Sequence, residues 1–326
     1  MTKKIYISSD FTSNLWMFNL DSQNIKKIKK QFPQVEIEMI NVDDDKLILN
    51  SETTIYWGTR INKNILKNLP NLKWIHFGSV GTDKINLKDT SYRQITVTNS
   101  KNINTYSIKN LILMYLFDIN KKLLINKKPF ISRAEYEKKF KLSQNIEKSK
   151  ILICGYGNIS KLLIKDLKNL KLNYDILSNQ NLKSNKLKFH KYKSLNKIIE
   201  KYDIVINNLP LNSQTHEIFN NNTFSKLKKN VSIISIGRTE TFHFSSLKNF
   251  YKGNLNATLY IDLAEKHLTS GKLSGINKLI NVYVTPHIGG YTNFYWEKEI
   301  QLFIKNLKLF TRNKRLINIV NPNKNK

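Results

Sequence analysis

A stretch near the middle of the chain reads ILICGYGNIS and sets two glycines between an apolar run and an amphipathic segment. Gly155 permits a tight turn, and Gly157 lets the backbone come close to a pyrophosphate. The amides of Asn158 and Ile159, at the positive end of a helix, would attract that phosphate. The pattern is nearly G-x-G-x-x-G with Ser160 in the last place, and it also fits a strand-to-helix turn that binds nothing. The turn alone therefore does not decide between a dinucleotide site and a structural turn.

Two further side chains could bind an anion and move a proton. Arg238 lies in IGRTE, and a guanidinium is always charged and can bind two oxygens at once. His287 lies in TPHIGG, and an imidazole exchanges its proton near working pH. Taken singly, such an arginine is usually a surface residue and such a histidine a loop residue. They become candidate functional residues only because they follow the glycine turn in this order along the sequence.

Short apolar runs that alternate with helical patterns indicate an α/β architecture. Strands are predicted at KIYIS, VEIEMI, TTIYW, KWIHF and QITVTN, with helices at SQNIKKIKKQF and NKNILKNL. A long helix is predicted from about Thr105 to Leu124. A second series of strands runs through ILIC, NYDILS, YDIVIN, VSIISI, TLYID and NVYVTP, and a last helix is predicted from about Thr292 to Thr311. Such alternation predicts parallel sheets covered on both faces.

Two series of strands predict two α/β domains. The terminal helix has no sheet of its own, so we expect it to return to the first domain. The first domain is then formed by residues 1–99 and 292–326, and the second by residues 100–291. A cleft between two such domains is the usual place for a small ligand.

The charge of the chain is strongly positive, with 54 Lys+Arg against 24 Asp+Glu and a net charge of +30. Most of the basic residues are lysines scattered along the whole chain, which favours a solvated lysine coat over a specific polyanion site. Nucleic-acid binding is the alternative, and it would predict salt-sensitive binding to duplex DNA of any sequence. No zinc-finger spacing appears, and we expect neither a metal site nor a specific nucleic-acid partner.

The cysteine content and the apolar runs bear on the compartment. The single cysteine, Cys154, excludes an internal disulfide and fits a reducing compartment. The start MTKKIYISSDF lacks the apolar block of a signal peptide. The longest apolar run, LILMYLF, is far below the roughly 20 residues that span a bilayer. We therefore expect a cytoplasmic protein without a membrane partner.

Longer motifs recur in order behind the glycine turn and resemble the D-isomer-specific 2-hydroxyacid dehydrogenases. They are NNLPLNSQTHEIFNNNTFSKLKKNVSIISIGRTE, YIDLAEKHL and NVYVTPHIGGYT. Earlier segments agree, because WIHFGSVGTDKIN resembles the substrate loop of that family and NTYSIKNLILMYL its interdomain helix. The resemblance covers nearly the whole chain. It implies a Rossmann-type doubly wound parallel sheet domain and a smaller flavodoxin-like α/β substrate domain.

The resemblance also implies an activity and roles for individual residues. The family transfers hydride between NAD or NADP and the α-carbon of a small 2-oxo or 2-hydroxy acid. Arg238 matches the arginine that grips the substrate, His287 the acid/base, and Asp262 a carboxylate near the nicotinamide. Two further sets match as well: the amides of Val80 and Gly81 would hold the substrate carboxylate, while Leu209, Pro210, Gly237 and Gly289 would line the nucleotide. The segment KKPFISRAEYEKKFKLSQ resembles a dimerisation arm, so a homodimer is expected.

The first departure from the family pattern concerns catalysis. A glutamate usually stands five positions after the strand-end aspartate, whereas this chain has His267 there. A histidine can orient the imidazole of His287 through a hydrogen bond but brings no negative charge, so the pH optimum for reduction should lie lower. Glu265 would substitute only if the loop shifted its register. Either activity persists with weaker acid/base assistance, or the chain is a catalytically impaired nucleotide-binding homologue with a regulatory role.

The second departure concerns the cofactor. NAD-preferring members carry an acid at the end of the strand after the glycine turn, and this chain has Ser178 there. Asp175 lies three residues too early. Without the acid a 2′-phosphate is not repelled, and Lys183 or Lys186 could attract it. The sequence therefore favours NADP over NAD.

Three more positions depart from the pattern. Asn110 replaces a frequent glutamate, and Thr239 replaces a glycine beside Arg238. Ser160 adds a hydroxymethyl group where a glycine usually lets helix and strand pack closely. We expect Asn110 to affect helix packing and Thr239 to alter the backbone at Arg238.

Overall fold

The computed structural model describes residues 4–13, 16–44, 47–81, 95–124, 132–140, 144–180, 187–269 and 271–320. The chain divides into two units, one formed by Met1–Asn104 with Tyr291–Lys326 and the other by Thr105–Gly290. Each unit is built around its own parallel sheet.

Apolar and β-branched segments form the strands in both units. In the first unit they are β1 (Ile5–Ser9), β2 (Val35–Met39), β3 (Ile55–Gly58), β4 (Trp74–Phe77) and β5 (Thr96–Asn99). In the second they are β6 (Lys150–Cys154), β7 (Asn173–Leu177), β8 (Phe189–His190), β9 (Ile204–Asn207), β10 (Ser232–Ser235), β11 (Thr258–Asp262) and β12 (Val282–Thr285). The residues of β3, β4, β9 and β10 are all buried, as expected for parallel strands with helices on both faces.

The α-helices lie between these strands, except for the last helix, which follows β12. They are α1 (Ser22–Gln31), α2 (Lys63–Lys67), α3 (Thr105–Lys121), α4 (Arg133–Phe140), α5 (Asn158–Asn169), α6 (Leu195–Ile198), α7 (Asn221–Ser225), α8 (Phe244–Gly253), α9 (Lys266–Thr269) and α10 (Tyr295–Thr311). Polar side chains define several helix starts. The Asp21 carboxylate accepts the amide of Asn24 at 2.7 Å, and the Asn62 side chain accepts the amide of Ile65 at 2.8 Å.

The first sheet has the strand order β2-β1-β3-β4-β5, which is the flavodoxin-like order. Helix α10 packs on it through an aromatic cluster. The ring of Phe303 stacks on Trp57, with centroids 3.9 Å apart, and on Trp74, with centroids 5.2 Å apart. The terminal helix therefore returns to the first sheet, as its lack of a sheet of its own predicts.

A buried carboxylate adds a polar anchor to that helix. Glu299 is fully buried and accepts the indole N–H of Trp57 at 2.9 Å and the hydroxyl of Ser100 at 2.6 Å. Its other near neighbour is Nε2 of His76, at 3.2 Å. Because a buried carboxylate without donors is costly, these contacts fix the rotation of α10 against the sheet.

The second sheet has the order β12-β11-β10-β9-β6-β7-β8. The chain proceeds outward from β6 to β8 on one side, then crosses over to β9 and proceeds to β12 on the other. This reversal between β6 and β9 is the switch point of a doubly wound sheet, where ligands bind beyond the carboxyl ends of the strands. The Rossmann-type prediction is confirmed by this order.

Hydrophobic clusters cover both faces of the second sheet. Leu152 and Val205 belong to one face, whereas Ile151 and Ile204 belong to the other. Cys154 lies fully buried at the end of β6, and burial raises the pKa of its thiol. The glycine turn thus begins directly after a buried strand end.

The predicted strands agree with the structure, and the helix ends differ for local reasons. Helix α3 ends at Lys121 because Lys122 has a left-handed φ of 58°. Helix α10 begins at Tyr295, three residues after the predicted Thr292. The two-residue strand β8 has too short a pattern to be predicted. Within the described ranges, no helix combines the length and the apolarity needed to cross a bilayer.

Candidate active site

The glycine turn leads from β6 into α5. Gly155 has a φ of +99°, and a Cβ there would lie 2.8 Å from the carbonyl oxygen of Asn208, so two constraints require glycine. Gly157 is the N-cap of α5, and a Cβ there would meet nothing within 4 Å. The backbone at Gly157 is therefore open to a ligand at the positive end of a helix of 12 residues.

The hydroxyl that Ser160 adds to this motif has a partner. Ser160 is fully buried in the first turn of α5, and its Oγ accepts a hydrogen bond from Nδ2 of Asn208 at 3.3 Å. The other side-chain atom of Asn208, Oδ1, is buried and accepts no hydrogen bond from the described part of the chain. A buried acceptor without a donor beside an open glycine turn fits a site that a polar ligand completes.

The loop after β9 packs against the glycine turn and against the loop after β10. Leu209 is buried and directs its amide to Oδ1 of Asn207 at 3.2 Å. The carbonyl of Pro210 accepts the hydroxyl of Thr215 at 2.6 Å. A Cβ at Gly237 would lie 2.9 Å from the carbonyl oxygen of Leu209, so glycine is needed where the loops after β9 and β10 touch.

The end of β7 carries no acid. Ser178 is 2% exposed, and its Oγ accepts the amide of Gln180 at 3.2 Å. The ammonium group of Lys191 donates to the carbonyl oxygens of Asn179 and Gln180 at 3.2 and 3.1 Å, which places positive charge beside this loop. Lys183 and Lys186 lie outside the described residues.

Asp175 points into the protein and not toward this loop. Its Oδ2 accepts the hydroxyl of Tyr202 at 2.6 Å and lies 3.3 Å from Nε2 of His190. Burial opposes its ionisation, yet the hydrogen bonds from Tyr202 and His190, together with the ammonium groups of Lys150 and Lys188, lower the pKa of Asp175. This carboxylate is therefore committed to the interior and cannot take the place of an acid at residue 178.

His287 follows β12 by two residues in an unusual backbone conformation. Its φ is +57°, a left-handed value that costs a non-glycine residue about 1–2 kcal/mol. Its amide donates to the carbonyl oxygen of Thr285 at 3.0 Å, and its side chain is exposed. The backbone thus turns outward at the carboxyl edge of the sheet and presents the imidazole there.

Asp262, the last residue of β11, holds this turn in place. Its Oδ1 accepts the hydroxyl of Thr285 at 2.6 Å and the amide of Ile288 at 2.8 Å, and its Oδ2 accepts the amide of Gly289 at 2.8 Å. A Cβ at Gly289 would lie 2.8 Å from Oδ2, so only glycine allows this approach. In this structure Asp262 orders the loop, and its expected place near a nicotinamide stays a prediction.

Arg238 lies beyond the carboxyl end of β10, three residues after Ser235. Thr239, the residue in the place of a glycine, is buried and directs its hydroxyl to Glu240 at 3.1 Å. Its side chain therefore points away from solvent, and Arg238 keeps an extended backbone with φ −73° and ψ 133°. Since β10 and β12 flank β11, Arg238, Asp262 and His287 all belong to one edge of the sheet.

His267 lies in α9, five residues beyond the end of β11 at the same edge. Its amide donates to the carbonyl oxygen of Ala264 at 3.0 Å, and its side chain is partly exposed. A Cβ at Gly271 would lie 2.7 Å from the Cα of His267, so a close approach within the loop fixes this turn. The acid of the neighbouring Glu265 is exposed.

In the first unit, the loop after β4 directs its carbonyl groups inward. The carbonyl oxygen of Ser79 accepts the amide of Ser100 at 3.3 Å, and that of Val80 accepts Nδ2 of Asn99 at 2.8 Å. Because a trans peptide places its N–H opposite its C=O, the amides of Val80 and Gly81 face away from the end of β5. Two adjacent outward amides can bind a carboxylate.

Sequence reasoning missed three residues of this edge: Asn208, Thr285 and Tyr115. Asn208 and Thr285 stand inside recognised motifs, but their contacts join strands that are far apart in sequence. Tyr115 lies in the apolar run LILMYLF of α3, and its hydroxyl is 2.6 Å from Oγ1 of Thr285. A tyrosine in an apolar helix face signals a buried hydroxyl that needs a partner. Among the described residues, no group of His, Cys, Asp and Glu is arranged to hold a metal ion.

Comparison with known proteins places the chain among enzymes with this architecture. Over 262 residues it is 26% identical to a glyoxylate reductase from Pyrococcus horikoshii, covering 78% of this chain and 77% of the relative. The structure of a D-isomer specific 2-hydroxyacid dehydrogenase from Xanthobacter autotrophicus, solved with NADPH, matches all of both chains with a TM-score of 0.78 at 14% identity. A glyoxylate/hydroxypyruvate reductase from Sinorhizobium meliloti, solved with NADP and malonate, matches 98% of both chains with a TM-score of 0.77 at 16% identity. At such identities the two structures establish the fold alone.

Residues 113–289, more than half of the chain, match the family model described as D-isomer specific 2-hydroxyacid dehydrogenase, NAD binding domain. The matched range begins within α3 and ends at Gly289, so it contains the glycine turn, Arg238, Asp262 and His287. The chain therefore belongs to the D-isomer specific 2-hydroxyacid dehydrogenase family.

Proposed function

We propose that this chain is an NAD(P)-dependent oxidoreductase that transfers hydride between a nicotinamide nucleotide and the α-carbon of a small 2-oxo or 2-hydroxy acid. The observation that carries the proposal is the carboxyl edge of the second sheet. An open glycine turn after β6, an arginine after β10 and an outward histidine after β12 share this edge. The named relatives suggest glyoxylate or hydroxypyruvate as substrates.

The unit formed by residues 105–290 would bind the nucleotide, and the unit formed by 1–104 and 291–326 would bind the substrate. The amides at the start of α5 would hold the pyrophosphate, beside the space that Gly157 leaves open. A bound nucleotide supplies or accepts the hydride. The loops at Leu209, Gly237 and Gly289 would line it. Gly237 lies against the backbone of Leu209, and Gly289 lies against the carboxylate of Asp262.

The side chains of this chain would bind the substrate and move the proton. The guanidinium of Arg238 would bind the substrate carboxylate and the oxygen being reduced, because its planar fork matches two oxygens. The imidazole of His287 would give its proton to that oxygen in reduction and take it back in oxidation. The outward amides of Val80 and Gly81 would hold the carboxylate without adding charge.

The residues after β7 support a preference for NADP over NAD. Ser178 offers a hydroxyl where an acid would repel a 2′-phosphate, and Asp175 is committed to Tyr202 and His190. The ammonium group of Lys191 adds attraction for a phosphate near this loop.

We also propose a homodimer that forms through α3. Tyr106, Met114 and Phe117 are 59%, 42% and 47% exposed and follow the helical repeat along one face of α3. An exposed apolar stripe on a helix is typical of a protein–protein interface. The predicted dimerisation arm overlaps α4, and its residues 127–131 and 141–143 lie outside the described ranges.

The main test measures reduction of glyoxylate, pyruvate and hydroxypyruvate by loss of nicotinamide absorbance. We expect turnover with NADPH, and a fall in kcat/KM of about 10- to 100-fold in Arg238→Gln, because charge-assisted hydrogen bonds to the substrate are lost. Arg312→Gln, at an exposed arginine after α10, should behave as the unchanged chain does. No turnover with any of these acids between about pH 5 and 9 would contradict the proposal.

The substitution His267→Glu tests the catalytic departure. A carboxylate at residue 267 favours the protonated imidazole of His287, so reduction should accelerate about tenfold or more and persist to higher pH. His267→Gln, which is neutral, should leave the pH profile unchanged. If His267→Glu binds NADPH yet neither variant nor parent turns over, the chain is a catalytically impaired nucleotide-binding homologue.

The substitution Ser178→Asp tests the cofactor preference. An aspartate would keep the acceptor for the Gln180 amide and repel a 2′-phosphate, so the ratio of kcat/KM for NADPH to that for NADH should fall about tenfold or more. Ser178→Asn is the neutral control of matching size. An equal ratio in the two variants would show that residue 178 does not contact the ribose.

The substitution Phe117→Lys tests the dimer by sedimentation velocity. The parent should sediment as a dimer at micromolar concentration, and the variant as a monomer, because a charge is placed in the apolar stripe. Ile280→Lys provides the control, since Ile280 is an exposed apolar residue, 68% exposed, in the loop before β12. A monomeric parent, or a dimeric Phe117→Lys, would rule out this interface.

A further inference from the structure

A chain of hydroxyl groups leads from α3 to the loop that carries His287. Tyr115 is fully buried, and its Oη lies 2.6 Å from Oγ1 of Thr285. The hydroxyl of Thr285 donates in turn to Oδ1 of Asp262 at 2.6 Å. Both distances are those of short, well-formed O–H···O bonds.

The number of hydroxyl hydrogens determines which group donates in each of these two hydrogen bonds. A hydroxyl has one hydrogen, and that of Thr285 is given to Asp262. The hydrogen between Tyr115 and Thr285 must therefore come from Tyr115. Burial raises the pKa of Tyr115, so its hydroxyl keeps the proton that it donates.

The series of hydrogen bonds that begins at Tyr115 ends at the backbone that follows His287. Asp262 accepts the amides of Ile288 and Gly289, both at 2.8 Å, on its two oxygens. These contacts hold the residue before them in its left-handed conformation, with φ +57° at His287. The hydroxyl of Thr285 donates to the same Oδ1 that accepts the amide of Ile288, so it constrains the rotation of the carboxylate that serves both amides.

We propose that Tyr115 is a positioning residue for the acid/base His287, acting through Thr285 and Asp262. The inference rests on the proposed function, in which His287 moves the substrate proton. In this proposal Tyr115, a residue of α3, helps to order the backbone at His287, and that backbone orders the imidazole. Residue 267 is a histidine and not the glutamate of the family pattern, so residue 267 brings no negative charge to that imidazole.

The aromatic surroundings of Tyr115 provide a matched control. Its ring packs against Tyr260, with centroids 5.2 Å apart, and against Tyr283, with centroids 6.1 Å apart. Tyr260 is also fully buried, but its hydroxyl donates to Oδ2 of Asp118 at 2.8 Å. Tyr115→Phe and Tyr260→Phe thus each remove one buried hydroxyl from the same aromatic cluster and leave the ring in place. Only the first interrupts the path to Asp262.

Steady-state kinetics compare the two variants. For Tyr115→Phe we expect kcat for 2-oxoacid reduction to fall about three- to tenfold, with KM for NADPH unchanged, because one neutral hydrogen bond is lost. Tyr260→Phe should stay within about twofold of the parent while losing a similar amount of thermal stability. Equal kcat in the two variants would overturn the proposal.

Thr285→Val removes the hydroxyl that lies between Tyr115 and Asp262, and so tests whether Tyr115 acts through Thr285. If Tyr115 acts through Thr285, adding Tyr115→Phe to Thr285→Val should cause no further fall in kcat. Fully multiplicative effects of the two substitutions would show that Tyr115 acts by another route, and would overturn the proposal.

Amide hydrogen exchange at Ile288 and Gly289 gives a readout that needs no turnover. Exchange at both amides should be about three- to tenfold faster in Tyr115→Phe than in Tyr260→Phe. Unchanged exchange would overturn the positioning role. A parent chain with protected amides but no turnover would instead contradict the proposed function alone, so the two failures are distinguishable.

Discussion

The buried carboxylate of Asp262 receives one donor from the last residue of the neighbouring strand β12 and two donors from the loop after that strand. The left-handed backbone conformation of His287 has an intrinsic cost. Asp262 offsets that cost because its position at the end of β11 brings both oxygens to the amides that follow the turn. The outward direction of the imidazole, and every role proposed for it, depends on this contact.

The strands and their order in the chain could be predicted from the sequence because parallel strands covered on both faces are continuous apolar runs. The glycine turn could be placed because two glycines between an apolar run and an amphipathic segment are typical of a strand-to-helix turn. The strand β8 could not be placed, since two residues are too few to show a period. The exact start of α10 could not be placed either, since periodicity shows that a helix exists but does not fix its first residue. Local backbone conformation, such as the left-handed Lys122, decides such ends.

The residues at the sheet edge could be located from their motifs, whereas their contacts could not. Nothing in the spacing of Ser160 and Asn208 shows that one hydroxyl and one amide meet across β6 and β9. Likewise, the commitment of Asp175 to Tyr202 and His190 follows from the pairing of β7 with β8 and from the packing of the segment before β9. Contacts between segments that are distant in sequence form only when the chain folds, so no single motif predicts them.

The burial of Cys154 has a practical consequence. The thiol is fully buried at the end of β6, and burial raises its pKa. Thiolate is the form that reacts with alkylating reagents and disulfides, so both accessibility and ionisation protect this sulfur in the native chain. Since it is the single cysteine of the sequence, its alkylation would report the exposure of the end of β6 in the second sheet.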